Sequence, residues 1–494
     1  MSQTHLRSER PEPHRAGAAA PTRRATAPGA HPGPTPTAAP PLRRSIGVAG
    51  GTLLTLSCVT PASSLFVIVP GLFTDLGTGT ALAVLVAAVI GVGVALCYCS
   101  LASAVPSAGG EYAMVHSVTG RLTGWLMFVL SLILVMIIPP IIALGTADYL
   151  APILDVDAQL AGAVVMLAAM LAGLLDLRAN AWITGVFLVL EVAAAAVVAV
   201  LGFRNAEQSP DVLVRPVISD GAGLEQALTA GAMVAGLAVA LFVLQGFTTA
   251  VYLSEEMVRP RRTVPRTVLW TLGISAAIIL LPVVAITLAA PDAGALVDAD
   301  LSAMVQAWSN SAVGTFVSLC VALAIINACI VMVIQNSRVL YASARDAAWP
   351  APVNRAMTML NRLGSPWLAT LAVGLPGAVL CFVPVETLSG VTGVAVALLY
   401  FGVAAACVVS WRRARTAAAA PSAATPDPDR VRVPGGPLIP VVLLVILGYV
   451  MAVQAPLDLL ITAGILLAAA GYHQFYLRRH PDTRWLVTVP EEER

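Results

Sequence analysis

The sequence predicts an all-α integral membrane protein with 12 transmembrane helices, arranged as a 5+5 inverted repeat plus two extra helices. Three observations lead there. The 494-residue chain is 58% hydrophobic and only 11% charged, against about 25% charged in an ordinary soluble domain. Between Ser45 and Tyr476 it is almost wholly apolar runs of helix length. Two of those runs are interrupted at matching places, Ser57-Cys58-Val59-Thr60-Pro61-Ala62-Ser63-Ser64 and Leu244-Gln245-Gly246-Phe247-Thr248-Thr249. Paired discontinuous helices, one in each half, mark the binding site of a secondary transporter. A helix that unwinds in lipid frees backbone groups that cost several kcal/mol each if unpaired, so it persists only against protein, water or a solute.

The elements follow in chain order. Residues 1–44 are rich in Pro, Ala, Thr and Arg, cannot bury a core, and read as a disordered cytoplasmic tail. A span needs about 20 apolar residues. Runs at 46–73, 79–103, 121–147, 158–175 and 181–203 form a first five-helix repeat within 45–204. Residues 205–225 are an extracytoplasmic loop. Runs at 226–254, 267–290, 312–340, 366–383 and 387–411 form a second repeat, 226–411. Residues 412–436 are a cytoplasmic linker, the last two helices lie at 437–454 and 457–477, and 478–494 form a cytoplasmic tail. Pro139-Pro140 is expected to kink the third helix. Because five is odd, the second repeat enters the membrane from the opposite side.

Charge sets the orientation. With both termini inside, every Arg except Arg204 and Arg215 falls on the cytoplasmic side, while Asp155, Asp157, Asp211, Asp292 and Asp300 collect outside. The expected location is therefore the cytoplasmic membrane, in multi-pass form.

A net charge of +1 argues against nucleic acid as a partner. All 28 basic residues are Arg, so no side-chain ammonium is available to titrate, and Arg stays protonated. The seven cysteines sit in apolar segments and read as small buried hydrophobes. No metal-ligand or cofactor motif is present, and none of H-E-x-x-H, G-x-S-x-G or a paired intramembrane Asp points to an enzyme. No cofactor and no catalytic residue is expected.

The loops then point to a family. Pro106-Ser107-Ala108-Gly109-Gly110-Glu111-Tyr112 resembles the P-x-A-G-G-x-Y of amino acid–polyamine–organocation permeases. Ser254-Glu255-Glu256-Met257-Val258-Arg259-Pro260 with Pro265-Arg266 resembles that family's E-E-x-x-x-P…P-R. Arg338-Val339-Leu340-Tyr341-Ala342-Ser343-Ala344-Arg345-Asp346 resembles its R-x-x-Y-x-x-A-R-D. Three motifs in the right order imply the LeuT-type fold and transport of amino acids or related amines.

The resemblance also assigns residues. Pro61, Ala62, Ser63 and Ser64 stand at the break of the first helix, where freed amides suit a carboxylate. In the sixth helix Phe242 matches the aromatic that covers substrate and Gly246 the unwinding glycine. Leu244 and Gln245 flank the break, and Thr248 replaces an acid common there. Glu191 lies mid-way along the fifth helix. Aligning Arg178-Ala179-Asn180-Ala181 with the equivalent loop puts it where cationic-amino-acid-transporter-like members carry a lysine linked to proton coupling. A carboxyl at that depth is costly, so it is either a proton carrier or a structural hydrogen-bonding group. Glu111, Glu255, Glu256, Arg338, Arg345 and Asp346 are candidates for a cytoplasmic gate.

The leading expectation is an amino acid permease working by alternating access, as a proton-coupled symporter or an exchanger. A polyamine or amine transporter of the same fold is the alternative, and a non-transporting solute sensor a third. The partners are a small-molecule substrate and the bilayer. H+ is a candidate coupling ion, and Na+ stays open because Ser, Thr and backbone carbonyls are plentiful. The absence of acid or base in the broken segments, with Leu65, Leu244 and Phe242 nearby, favours a small or apolar neutral amino acid.

Overall fold

The computed structural model describes residues 46–105, 109–151, 154, 156–175, 180–219, 225–254, 256–297, 300–418, 430–481 and 483–486. The N-terminal tail 1–44, residues 419–429 of the 412–436 linker and residues 487–494 lie outside the described residues, as do Pro106–Ala108, Arg178, Ala179 and Glu255. Their expected roles have no structural counterpart here.

The first run becomes three helices, α1 (Val48–Val59), α2 (Pro61–Val67) and α3 (Val69–Leu76). Then come α4 (Thr80–Ala104), α5 (Gly110–Thr119), α6 (Arg121–Leu144), α7 (Thr146–Leu150), α8 (Ala158–Leu174) and α9 (Asn180–Arg204). The second half holds α10 (Ala230–Val243), a 3-10 turn at Phe247–Leu253, α11 (Pro260–Ala289), α12 (Leu301–Trp308), α13 (Ser311–Arg345), α14 (Ala351–Met357), α15 (Trp367–Leu380) and α16 (Val385–Ala418). Last are α17 (Leu438–Ala452) and α18 (Pro456–Tyr472). Among the described residues nine helical stretches are long and apolar enough to cross a membrane. Three shorter apolar helices, Ala158–Leu174, Trp367–Leu380 and Leu438–Ala452, stand where further spans are expected.

The break expected over Ser57–Ser64 narrows to one residue. Thr60 adopts φ 43° and ψ 61°, which ends α1, and Pro61 opens α2 at the first helical position, where its missing N–H costs nothing. The second break is Leu244-Gln245-Gly246, with Gly246 at φ +115°. The two meet in space. A Cβ on Gly246 would lie 3.0 Å from Val59 Cα, so only glycine lets the breaks cross this closely. The segments that flank them are also tied. Ile46 N donates to the Glu256 carbonyl and Val258 N to the Ile46 carbonyl, each at 3.0 Å.

Prolines inside the apolar helices leave carbonyls without their usual donor. Pro139 cannot bond the carbonyl of Val135, and Asn336 Nδ2 donates to it at 2.7 Å instead. Pro70 cannot bond the carbonyl of Phe66, and the Tyr149 hydroxyl donates there at 2.7 Å. These side chains satisfy groups that lipid could not. The α6 helix consequently runs unbroken through Pro139-Pro140 to Leu144.

Several boundaries differ from expectation. The seventh run begins at Pro260, not 267, because Pro260 suits a helix start and Arg261 and Arg262 make its first turn polar. The eighth extends to Arg345. The loop after α9 holds a short antiparallel pair, β1 (Val217–Ser219) with β2 (Glu225–Ala227). The C-terminal tail is not all loose chain. Arg121 donates from Nη1 to the Pro481 carbonyl at 2.7 Å and from Nη2 to that of Arg484 at 2.6 Å. Trp485 is 1% exposed. It packs against Tyr112, Phe128 and Trp125 with ring centroids 5.3, 5.1 and 5.1 Å away. One large aromatic in a polar tail was the signal.

Candidate functional site

A cavity of about 510 Å³ opens where the two breaks meet. The first broken segment lines it with Cys58, Val59, Thr60 and Ser64, and the second with Phe242, Gln245, Gly246 and Thr248. Of the residues expected at the break, Pro61, Ala62, Ser63 and Leu244 are buried but do not line the cavity. The Ser64 amide donates to the Thr60 carbonyl at 3.1 Å, so it is not free for a carboxylate as expected. The amides of Ala62 and Ser63 have no backbone acceptor among the described residues. The Thr60 hydroxyl lines the cavity, is buried and lacks a hydrogen-bond partner among the described residues.

Ser63 turns the other way. Its hydroxyl donates to Glu191 Oε1 at 2.9 Å, and Glu191 is 3% exposed. The pairing follows from α2 packing on α9. Glu191 therefore holds the back of the broken helix instead of facing the cavity.

The cavity has a carboxylate that no broken segment supplies. Glu111, on α5, is buried and receives hydrogen bonds on Oε1 from the Tyr252 and Ser131 hydroxyls, both at 2.9 Å. Gly110 makes this fit: it sits at φ +56°, and a Cβ there would collide with the Tyr252 ring. Burial raises the Glu111 carboxyl above the usual carboxylate range, and the Tyr252 and Ser131 hydroxyls pull it back.

The other gate candidates divide. Glu256 and Arg338 line the cavity. Arg345 and Asp346 lie outside it, with Nε 3.6 Å from Oδ1. Sequence reasoning did not single out Thr60, Ser131, Tyr252, Gln335 or Asn336, all of which line the cavity. Gln335-Asn336 carried a signal, two adjacent amides in an apolar run. Gln335 Nε2 donates to Cys58 Sγ at 2.7 Å. Among the described residues no three His, Cys, Asp or Glu side chains gather as metal ligands would.

A profile of the family described as Amino acid permease matches residues 48–467, so it spans both breaks and the cavity. The chain belongs to the amino acid permease family. This permease is also similar to proteins named uncharacterized transporter from Mycobacterium bovis and Mycobacterium tuberculosis. Each is 29% identical over 343 residues, covering 67% of this chain and 72% of the relative. It is a multi-pass membrane protein of a transporter family, and its partners are a small-molecule substrate and the bilayer.

Proposed function

We propose that this permease is a secondary active transporter that carries amino acids across the cytoplasmic membrane by alternating access. One observation carries the reading: a single cavity of about 510 Å³ is lined by both broken segments. That volume suits one small solute, since ligand pockets run about 300–1,000 Å³. In this reading the chain forms twelve spans as a 5+5 LeuT-type inverted repeat with α17 and α18 added, and both termini lie in the cytoplasm. The solute carboxylate meets the break at Thr60, whose unpartnered hydroxyl is the donor in the cavity lining. Phe242, 3% exposed, covers the solute. Glu256 and Arg338 stand at the inner mouth as gate charges.

Glu191 is the proton carrier in this account. Its bond to Ser63 couples a titrating group to the helix that must move, so a gate movement changes the solvation of the carboxyl. Coupling to H+ or exchange then follows from whether the proton is released inside. A thermal-shift screen of the purified protein against amino acids and amines tests the reading, because a ligand of the folded state raises stability by mass action. Stabilisation by amino acids supports it, and a flat screen across the whole panel contradicts it.

A further inference from the structure

Among the described residues Glu111 is held by hydroxyls and paired with no cationic side chain. Its side chain lines the cavity and is 4% exposed. Both hydroxyl donors, Tyr252 and Ser131, bond Oε1, while Oε2 is buried with no hydrogen-bond partner among the described residues. A buried carboxylate oxygen is expensive to leave unsatisfied. Two donors on one oxygen hold the carboxyl in place and leave the other oxygen to accept from whatever fills the cavity. The remaining charged groups of the described lining are Glu256 and Arg338, one of each sign. Glu111 is thus the buried acid of the site, and Tyr252 and Phe242 line the same cavity. Aromatic faces and a carboxylate together favour a cation.

We propose that Glu111 is the specificity-determining residue of the cavity: its free oxygen recognises an alkylammonium or guanidinium on the carried solute. Cationic amino acids are then preferred over neutral ones of the same shape. This reverses the expectation of a neutral solute, because the acid arrives from α5 and not from a broken segment. The inference rests on the cavity being the transport site.

The test uses the full chain, purified in detergent, with arginine and its neutral isostere citrulline as probes. Their affinities are compared in the wild type and in Glu111→Gln. Arginine should bind the wild type at least about tenfold more tightly than citrulline. In Glu111→Gln the ratio should fall to about one through loss of arginine affinity, with citrulline unchanged. A wild-type ratio of one or less overturns the proposal, and so does a ratio that persists in Glu111→Gln. If Glu111→Gln does not fold, Glu111→Asp retains the charge and should retain the preference; its loss there, with the carboxylate present, counts against the proposal. If citrulline binds and Glu111→Gln changes only the pH dependence of its binding, the oxygen carries a proton, and the proposal falls while the transport reading stands. If no amino acid or amine binds the folded protein, the transport reading falls and this inference with it.

Discussion

Ser63 Oγ donates to Glu191 Oε1 across 2.9 Å, joining the first broken helix to the middle of α9. The acceptor is a carboxyl oxygen in either protonation state, so the bond survives titration while the charge does not. Glu191→Gln keeps an acceptor oxygen and nearly the same shape. That variant is expected to fold, bind solute and exchange it, and to lose accumulation driven by an inward proton gradient. Glu191→Leu removes the acceptor and leaves a buried hydroxyl unpaired, at a cost of about 1–3 kcal/mol. Proton-driven accumulation in liposomes decides the matter; undiminished accumulation by Glu191→Gln removes Glu191 from coupling.

Gly246 tests the crossing of the breaks. Its φ of +115° and the 3.0 Å approach to Val59 Cα both exclude a side chain. Gly246→Ala should lower stability by about 1–3 kcal/mol and abolish transport. Gly273 is the control, because a Cβ there meets nothing within 4 Å. Gly273→Ala sits inside α11 and should leave stability unchanged or raise it by up to about 1 kcal/mol. Thermal unfolding of the two variants in detergent reads the difference directly.

These two contacts show where sequence reading stopped. The apolar runs were legible because lipid imposes length and composition on every span. The breaks were legible because Pro61 and Gly246 are local punctuation. The partners were not, since Ser63 to Glu191 and Asn336 to Val135 join residues far apart in the chain. Glu111 was read as a gate candidate because it stands in a motif between two apolar runs. Only packing shows that Gly110 brings the Tyr252 ring against it and that one of its oxygens is left free. Ser64 was assigned a free amide, and the tight turn at Thr60 uses that amide internally.

Phe242 is buried and lines the cavity beside Gly246. A flat apolar cover excludes water from a bound solute. Phe242→Trp should retain most transport, and Phe242→Ala, compared per folded protein, should lose it at least about tenfold. Initial uptake rates in liposomes check this, and equal rates in all three proteins would reduce Phe242 to packing.

Trp485 fastens the C-terminal segment to α5 and α6. Its ring lies 5.3 Å from Tyr112, which itself lines the cavity. Trp485→Ala should cost about 3–5 kcal/mol, as for other fully buried aromatics. Arg121→Ala should produce a smaller loss, since it removes the bonds to Pro481 and Arg484 but not the ring packing. Melting temperatures of both variants test the order, and an unchanged melting point for Trp485→Ala would show the segment to be unattached.

The central claim is that the cavity between the breaks carries a solute across the membrane. Counterflow measures this most directly. Liposomes containing the purified protein are loaded with an unlabelled amino acid identified by thermal shift, and entry of the labelled compound is followed. The account predicts transient accumulation above the external concentration with the wild type and none with Gly246→Ala. Labelled solute that binds the folded wild type yet never enters the liposomes would contradict it.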